Sequence, residues 1–297
     1  MSLRGTMGAG LLLLALVPAA PAQTALEWKF KEGDKFFIEA VTETKQTVTL
    51  ADKPTTSAST YTTVSSFVVK KAEAGSYTLD QTIEGVQVKS AKADDSTVAI
   101  ASRFANLLKG AKFTFTINSA GKLTSKLDGY DDFIRRLSGG SDKIEKDNRA
   151  FLPEDALKDE LSAIFGFLPG KSVEKDDTWK RTETLALPWG KLTGETTYKY
   201  GGKDKDGEKI DITQKWSYAL PDEGAGGVKV SKGDVKVTDA TGTIVADLAA
   251  GRLVSHKETR HLTGHLTTTD AAKKETPFDI DQTTTRTIRR VEENPLK

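Results

Sequence analysis

Residues 26–50 read LEWKFKEGDKFFIEAVTETKQTVTL, and their alternation of apolar and polar residues decides the fold class. Phe36, Ile38 and Ala40 share one face of an extended chain, and charged or polar residues occupy the other face. A period of two is typical of a strand that buries one face and leaves the other in water. This stretch therefore predicts a long β-strand near the start of the folded chain.

The alternation recurs through most of the chain. One strand face in the next segment consists of Tyr61, Thr63, Ser65, Phe67 and Val69. The parity of the apolar positions then changes at Gly85, which predicts a β-bulge, because an extra residue re-aims every later side chain. Strand-like alternation returns after Asp176, and Asp206-Gly207 predicts a hairpin turn there.

Helical spacing interrupts the strand pattern. Residues 94–110 carry apolar side chains three and four positions apart and end at a glycine, as helices often do. Residues 128–137 fit a short helix, whereas residues 138–148 are polar and predict an exposed segment. Residues 153–165 have a proline in the first turn and an apolar stripe around Leu161, which predicts a helix packed on the sheet.

Two pairs of segments resemble each other at a distance along the chain. EGDKF at 32–36 resembles KDDTW at 175–179, and FTFTINSAGKLTS at 113–125 resembles GTIVADLAAGRLVS at 242–255. We therefore predict two pseudo-repeats of a strand group. Their predicted bounds, within a single β-rich domain over 23–297, are 26–127 and 176–292, with a helical insert at 128–170.

The predicted fold class is mainly β (α+β). We expect a long antiparallel curved sheet or half-barrel, made of the two pseudo-repeats, with a few helices packed on one face. Threonine-rich strands of this kind bury one face and leave the other in water. The few helices must therefore cover the apolar face of the sheet.

The first 22 residues fit an export signal. Arg4 precedes a short apolar core from Leu11 to Val17, and Ala20-Pro21-Ala22 supplies small residues before Gln23. The apolar run is far shorter than the roughly 20 residues that a membrane span needs. We expect residues 1–22 to be removed and the mature chain to be periplasmic or extracellular, without a transmembrane segment.

The composition excludes several classes of protein. Lys and Arg number 43 against 42 Asp and Glu, so the chain lacks the basic surface that nucleic acid requires. Hydrophobic residues make up 37% and charged residues 29%, which suits a soluble globular protein. The absence of cysteine excludes disulfides, thiolate nucleophiles, thiolate metal ligands and a lipid anchor on an N-terminal cysteine.

Several stretches together carry a resemblance to a known family. They are LEWKFKEGDKF, LLKGAKFTFTINSAGKL, LPEDALKDELSAIFGFLPGKSVEKDDTWKR, GRLVSHKET and the terminal NPLK. The chain resembles an uncharacterised family of secreted, β-rich proteins of planctomycete-type bacteria, a domain of unknown function. The pattern of long strands and few helices also looks like the half-barrel of periplasmic lipoprotein carriers. The resemblance implies a fold but no site residues, because fold does not fix function.

Residues suited to catalysis or metal binding are few. His261 and His265 lie four residues apart in a strand-like run, which separates them by about 13 Å, and His256 falls on the opposite face. We interpret the histidines as solvated strand positions. The adjacent acid pairs stand at element boundaries, where carboxylates cap helices or close turns: Asp94-Asp95, Asp131-Asp132 and Asp176-Asp177. We predict no catalytic residue, no cofactor and no metal site, and we predict that the protein is not an enzyme.

Three classes of function are compatible with the sequence. The first is an envelope carrier or binding protein that holds an apolar ligand or lipid between the sheet and the helices. Its predicted lining is Phe104, Leu108, Leu161, Ile164, Phe165 and Trp216. The second is a structural or interaction protein of the cell surface or periplasm, with an envelope protein as its partner. The third is an extracytoplasmic hydrolase, which a cleft with converging, pKa-shifted carboxylates would favour.

Overall fold

The computed structural model describes residues 23–90, 107–187, 190–220, 229–270 and 273–297. The predicted export signal lies outside these ranges, as do Phe104 and most of the predicted helix at 94–110. At the end of that segment, Leu107 and Leu108 are helical and Gly110 has a φ of 78°. This left-handed conformation is the one that a glycine adopts after a helix.

The described residues contain the following elements, numbered in chain order. The strands are β1 (Thr24–Ala25), β2 (Lys35–Leu50), β3 (Lys53–Glu73), β4 (Ser76–Ser90), β5 (Lys112–Asn118), β6 (Ser172–Val173), β7 (Thr178–Leu187), β8 (Gly190–Lys203), β9 (Glu208–Ala219), β10 (Lys229–Asp247), β11 (Arg252–Thr269) and β12 (Glu275–Val291). The helices are α1 (Tyr130–Ser138), α2 (Asp142–Phe151) and α3 (Glu154–Phe165), with a short 3-10 turn at Leu248–Ala250.

Ten of these strands form one antiparallel sheet in the order β5-β4-β3-β2-β12-β11-β10-β9-β8-β7, and the sheet does not close into a barrel. Strands β1 and β6 form a separate two-stranded ribbon. The C-terminal strand β12 lies in the middle of the sheet, paired with β2 on one side and β11 on the other. The predicted mainly β fold with a long antiparallel sheet is confirmed.

The predicted bulge at Gly85 is confirmed by the pairing of β3 with β4. Val64 pairs with Gly85 and Ser65 pairs with Ile83, so Glu84 is the extra residue. The Ser66 hydroxyl donates a hydrogen bond of 2.6 Å to the Glu84 carboxylate. This bond anchors the extra residue on the face of the sheet that points away from the helices, which we call the convex face. The change of parity in the sequence thus marks a real change in the direction of the strand's side chains.

The predicted helix at 153–165 is confirmed as α3, and the predicted short helix near 128–137 as α1. Most of residues 138–148 are exposed, as predicted, but the sequence analysis did not predict that residues 142–151 form α2. The Ser141 side chain accepts a hydrogen bond from the backbone N–H of Ile144 at the start of this helix. Acidic residues in its first turn and Arg149 in its last turn suit the helix dipole. These local signals supply helical stability that the weak apolar pattern did not indicate.

The segments that resemble each other in sequence have the same local geometry. In the turn before β2, the Asp34 carboxylate accepts a hydrogen bond of 2.8 Å from the backbone N–H of Lys31. In the turn before β7, Asp177 accepts the equivalent bond of 2.9 Å from Glu174. In both turns the backbone carbonyl of the aspartate also accepts from the next strand of the sheet, β3 or β8. β2 and β7 therefore begin in the same way.

The strand order repeats as well. β5-β4-β3-β2 and β10-β9-β8-β7 follow one another across the sheet, and the hairpin β11–β12 stands between them. Each group ends at a glycine with positive φ, Gly121 at 76° and Gly251 at 60°. Both glycines adjoin the N-terminal segment 26–30, whose Trp28 side chain lies beside Gly121 and whose Phe30 lies beside Gly251. This segment therefore ties the two halves of the sheet together.

The main core lies between the helices and the face of the sheet that they cover, which we call the concave face. Phe165 of α3 is at its centre, with ring centroids 5.4 Å from Phe67 and 6.1 Å from Trp28, Phe30 and Phe115. The Trp28 indole donates a hydrogen bond of 2.8 Å to the Phe165 carbonyl. The contacts of Phe165 with Phe67, Trp28 and Phe30 are edge-to-face and fix the orientation of the rings, so this part of the interior is closely packed.

Candidate functional site

The predicted ligand-lining residues divide between two places. Leu108, Leu161, Ile164 and Phe165 lie in the main core, where each is at most 6% exposed. Trp216 lies apart from them, packed against a second apolar cluster farther along the strands, and Phe104 lies outside the described residues. The structure thus does not bring the predicted lining together around one cavity.

We define the second apolar cluster by the residues that form it on the concave face. It contains Leu192, Val230, Val235, Leu262, Leu266 and Ile280, with Trp216, Tyr218, Val237 and Phe278 packed against it. No helix described in the chain contributes to this cluster. It is therefore the helix-free half of the concave face.

The second apolar cluster forms where the sheet splits. β9 and β10 pair only from Thr213–Thr241 to Glu208–Ala246, and a bulge interrupts β10 between Thr238 and Thr241. Beyond that point, within the described residues, β9 remains paired only with β8, and β10 only with β11. The separated strands direct apolar side chains from both sides of the split into one cluster.

A band of charged and polar side chains separates the main core from the second apolar cluster. We call it the polar belt and define it as Arg181, Glu183, Thr196, Gln214, Glu258, Arg260 and Arg286. Its members come from β7, β8, β9, β11 and β12 and face the same side of the sheet. α3 borders the belt, because Arg286 forms an ion pair with Glu160 of that helix. Sequence reasoning missed the belt, since its residues are far apart along the chain and form no motif.

Glu258 is the most strongly stabilised anion in the belt. Burial alone would raise its pKa, but His256, Arg286 and Arg260 outweigh burial and lower the pKa of Glu258 to about 2. His256 Nε2 lies 3.6 Å from the Glu258 carboxylate, and Nδ1 lies 3.1 Å from the carbonyl oxygen of Ala163 in α3. The interpretation of His256 as a solvated position was wrong, because helix α3 covers its ring.

Glu183 belongs to the same belt, but its pKa is raised, whereas that of Glu258 is lowered. The residue is exposed, yet the surrounding concave wall desolvates its carboxylate and raises its pKa, and the charge of Glu258 adds to this effect. The Thr196 hydroxyl at 2.9 Å and the Gln214 amide at 3.1 Å both donate to one of its oxygens. Glu183 therefore lies in a recess that solvent reaches.

Trp216 and Arg260 meet where the polar belt joins the second apolar cluster. The Arg260 guanidinium lies 5.5 Å from the centre of the Trp216 ring. A Cβ atom at Gly194, opposite on β8, would lie 2.8 Å from this ring, so only glycine leaves room for it. The indole nitrogen of Trp216 is buried without a hydrogen-bond partner. Among the described residues, no carboxylate lies within ion-pair distance of Arg260.

An open depression of about 430 Å³ lies on the convex face, where β9 and β10 part. Five of its lining residues share that face: Asp211, Thr241, Thr243, Lys257 and Thr259. The depression therefore lies on the opposite side of the sheet from the polar belt and is not part of the candidate ligand site.

The other two histidines lie on the convex face. His261 Nε2 is 2.9 Å from the Asp281 carboxylate, and His265 pairs with Asp279 in the same way two residues along β12. These are two separate cross-strand contacts between a histidine and an aspartate. Within the described ranges, no group of three histidine, aspartate or glutamate side chains is arranged to hold a metal ion. In the same ranges, no helix is long and apolar enough to span a membrane.

Comparison with known proteins places the chain in a family. The model of the family of unknown function DUF6263 matches residues 71–251, which is more than half of the chain. The chain belongs to this family, in agreement with the resemblance seen in the sequence. No curated protein matches the sequence significantly.

Solved structures show only distant likeness. The COG4313 outer membrane channel from Pseudomonas putida F1 is 8% identical, with 90% of this chain and 98% of that chain covered and a TM-score of 0.20. OccK2 (OpdF) from Pseudomonas aeruginosa is 7% identical, with 87% and 98% covered and a TM-score of 0.22. A DUF1329 family protein from Desulfovibrio piger ATCC 29098 is 10% identical, with 82% and 83% covered and a TM-score of 0.14.

Proposed function

We propose that this protein is an exported, non-enzymatic binding protein of the cell envelope that holds an amphiphilic, lipid-like ligand. The signal-like sequence of residues 1–22 supports export. The close packing around Phe165 argues against a ligand between the helices and the sheet. We therefore assign the ligand to the helix-free half of the concave face, at the junction of the second apolar cluster and the polar belt.

The observation that carries this proposal is the pair formed by Trp216 and Arg260. A buried indole N–H without a partner is costly unless a ligand completes its hydrogen bonding. The adjacent Arg260 guanidinium has no ion-pair partner among the described residues and presents further donors. Together they suit the acidic or ester head of a ligand.

The second apolar cluster suits the other end of the same ligand. Trp216, Tyr218 and Phe278 are only partly buried and flank residues such as Leu266 that are fully buried. An alkyl chain that covered these rings would gain about 25 cal/mol for each Å² of apolar surface removed from water. A polar head at Arg260 and a chain over the rings would place an amphiphile across the boundary of the belt.

Titration calorimetry with laurate tests the proposal. The wild-type protein should bind laurate, and Trp216→Phe, which keeps an aromatic ring but removes the N–H, should weaken binding. Arg260→Gln should weaken it by about tenfold, as the loss of one charged hydrogen-bonding partner does. Dodecyltrimethylammonium, with a similar chain and a cationic head, should bind the wild-type protein more weakly than laurate.

The matched control is His261→Gln, one position along β11 from Arg260 but on the convex face. It should bind laurate like the wild-type protein. Failure of the wild-type protein to bind laurate, combined with native mass spectrometry that shows no co-purified lipid, would contradict the proposed function. Equal laurate affinity in all three variants would contradict the assigned site.

A further inference from the structure

Strand β7 forms one edge of the sheet. It pairs with β8 from Thr178–Lys199 to Leu187–Gly190, and no other strand described in the chain pairs with it. Lys180, Thr182 and Glu183 on this strand are exposed. Along its ten residues, the backbone groups of β7 that point away from β8 therefore form a row without a strand partner in the described ranges, which is a template for another strand.

The internal repeat shows what this edge is built to accept. β2 begins at the same type of turn as β7 and occupies the equivalent place in its own strand group. There the edge is covered by β12, which runs antiparallel to β2 from Phe37–Val291 to Leu50–Phe278. The equivalent edge of β7 lacks such a neighbour within the described residues.

We propose that a second copy of this chain covers the edge, with β7 pairing antiparallel to β7 about a two-fold axis through Thr182. The charges of the strand select this register. Residues directly opposite in an antiparallel pair lie on the same face. Pairing about Thr182 therefore places Arg181 opposite Glu183 of the second copy, and this happens twice. A two-fold axis at Arg181 or at Glu183 would instead set two like charges against each other.

The remaining positions of this register are compatible as well. On the convex face Thr182 would meet its own counterpart, and Lys180 would meet Thr184. Threonine pairs and opposite-charge pairs each stabilise antiparallel sheets by about 0.2–1 kcal/mol. The strand is thus self-complementary on both faces.

One pair of strands makes a small interface. Pairing about Thr182 brings only positions 178–186 of the two copies together. The surface that this pairing buries is well below the roughly 1,600 Å² of a standard stable interface. We therefore expect a weak dimer with a dissociation constant of the order of micromolar, in which hydrogen bonds and the two Arg181–Glu183 pairs determine the register.

The chain contains no cysteine, so a single introduced thiol reports the register directly. Thr182→Cys places two thiols opposite each other at the two-fold axis, where Cβ atoms of directly paired residues lie about 5 Å apart. Mild oxidation should yield disulfide-linked dimer. Thr184→Cys is the matched control on the same face, because its two thiols would be separated by four residues, or about 13 Å.

Charge exchange provides the second test. In sedimentation at high protein concentration, Arg181→Glu should weaken dimerisation about tenfold or more, because two glutamates then face each other twice. The double variant Arg181→Glu, Glu183→Arg restores opposite charges and should restore the dimer. Lys45→Glu, on interior strand β2, should dimerise like the wild-type protein, and thermal unfolding should show that every variant is folded.

Three outcomes would overturn the proposal. One is a wild-type protein that stays monomeric in the same concentration range. Another is equal cross-linking of the Thr182→Cys and Thr184→Cys variants. The third is a dimer that Arg181→Glu leaves unchanged. Cross-linking confined to Thr182→Cys, together with recovery of the dimer in the double charge variant, would support it.

Discussion

Two glutamates of the polar belt respond to pH in opposite directions. The lowered pKa of Glu258 means that its carboxylate stabilises the folded state above the ordinary pKa of 4.5, and that this stabilisation is lost as the pH falls toward about 2. Glu258→Gln should therefore cost about 2–3 kcal/mol near neutral pH, since it removes a buried anion that Arg286 and Arg260 stabilise. Urea unfolding should show the deficit shrinking as the pH falls below about 4.

Glu183→Gln should have the reverse effect. The raised pKa of Glu183 means that the folded state holds the proton more firmly than the unfolded chain does, so ionisation costs stability as the pH rises through that pKa. Glutamine keeps an oxygen for Thr196 and Gln214, so a small gain in stability at neutral pH is expected. The gain should vanish below about pH 4, and a loss at neutral pH would contradict the assignment.

Gly121 is a residue whose conformation and surroundings both require glycine. Its φ is 76°, and a Cβ atom would lie 1.8 Å from the backbone carbonyl oxygen of Phe165. Gly121→Ala should cost about 3 kcal/mol or more, because backbone must move. Gly33→Ala is the matched control, since Gly33 has a φ of 85° with no atom within 4 Å, and only the backbone strain of about 1–2 kcal/mol applies. Equal losses in urea unfolding would contradict the clash.

At the scale of elements, α3 is the helix that the sequence predicted best and the one that the core depends on most. Leu161 is 2% exposed in a closely packed core. Leu161→Ala should therefore cost about 4 kcal/mol, in the upper part of the range for large-to-small core changes, because the fixed rings cannot collapse into the space. Leu157→Ala, at the partly buried margin of the same helix, should cost clearly less. Similar small shifts in melting temperature for both variants would show that the helix is not firmly packed.

Elements that depend on local chemistry were predictable from the sequence. The period of two along β2, the bulge at Glu84–Gly85 and the turn at Asp206-Gly207 each follow from neighbouring residues. α2 was missed because its stability rests on a cap and on charges rather than on an apolar stripe. A helix or a strand could thus be predicted from the sequence wherever the spacing of apolar side chains alone determines it.

The candidate site was not predictable at the same level. Trp216 was singled out from the sequence, but its partner Arg260 lies two strands away in the sheet and 44 positions further along the chain. The polar belt brings together residues of β7–β9 and of β11–β12, which lie on the two sides of the split between β9 and β10. No local pattern in the sequence encodes such a split. The alternation along β11 predicted on which face of the sheet His256 lies, but not that helix α3 covers its ring.

At the scale of the whole molecule, the C-terminal residues secure the convex face. Leu296 lies over Gly85, where an added Cβ atom would be 3.2 Å from its side chain, and Asn294 is buried beside it. Leu296→Ala should cost about 1–2 kcal/mol through lost packing on the sheet. Leu50→Ala, at a residue that is 50% exposed, should change stability by about 0.5 kcal/mol or less. Equal effects in chemical unfolding would show that the terminus does not pack on the sheet.

The position of β12 sets the order in which the sheet can be completed. β2 and its neighbour in the finished sheet, residues 278–291, are far apart along the chain. Until β12 joins them, β2 and β11 are open edges at what becomes the centre of the sheet. Long-range pairing of this kind is slow, and exposed edges invite contact with other chains. The folding chain is therefore at its greatest risk of aggregation before β12 is inserted.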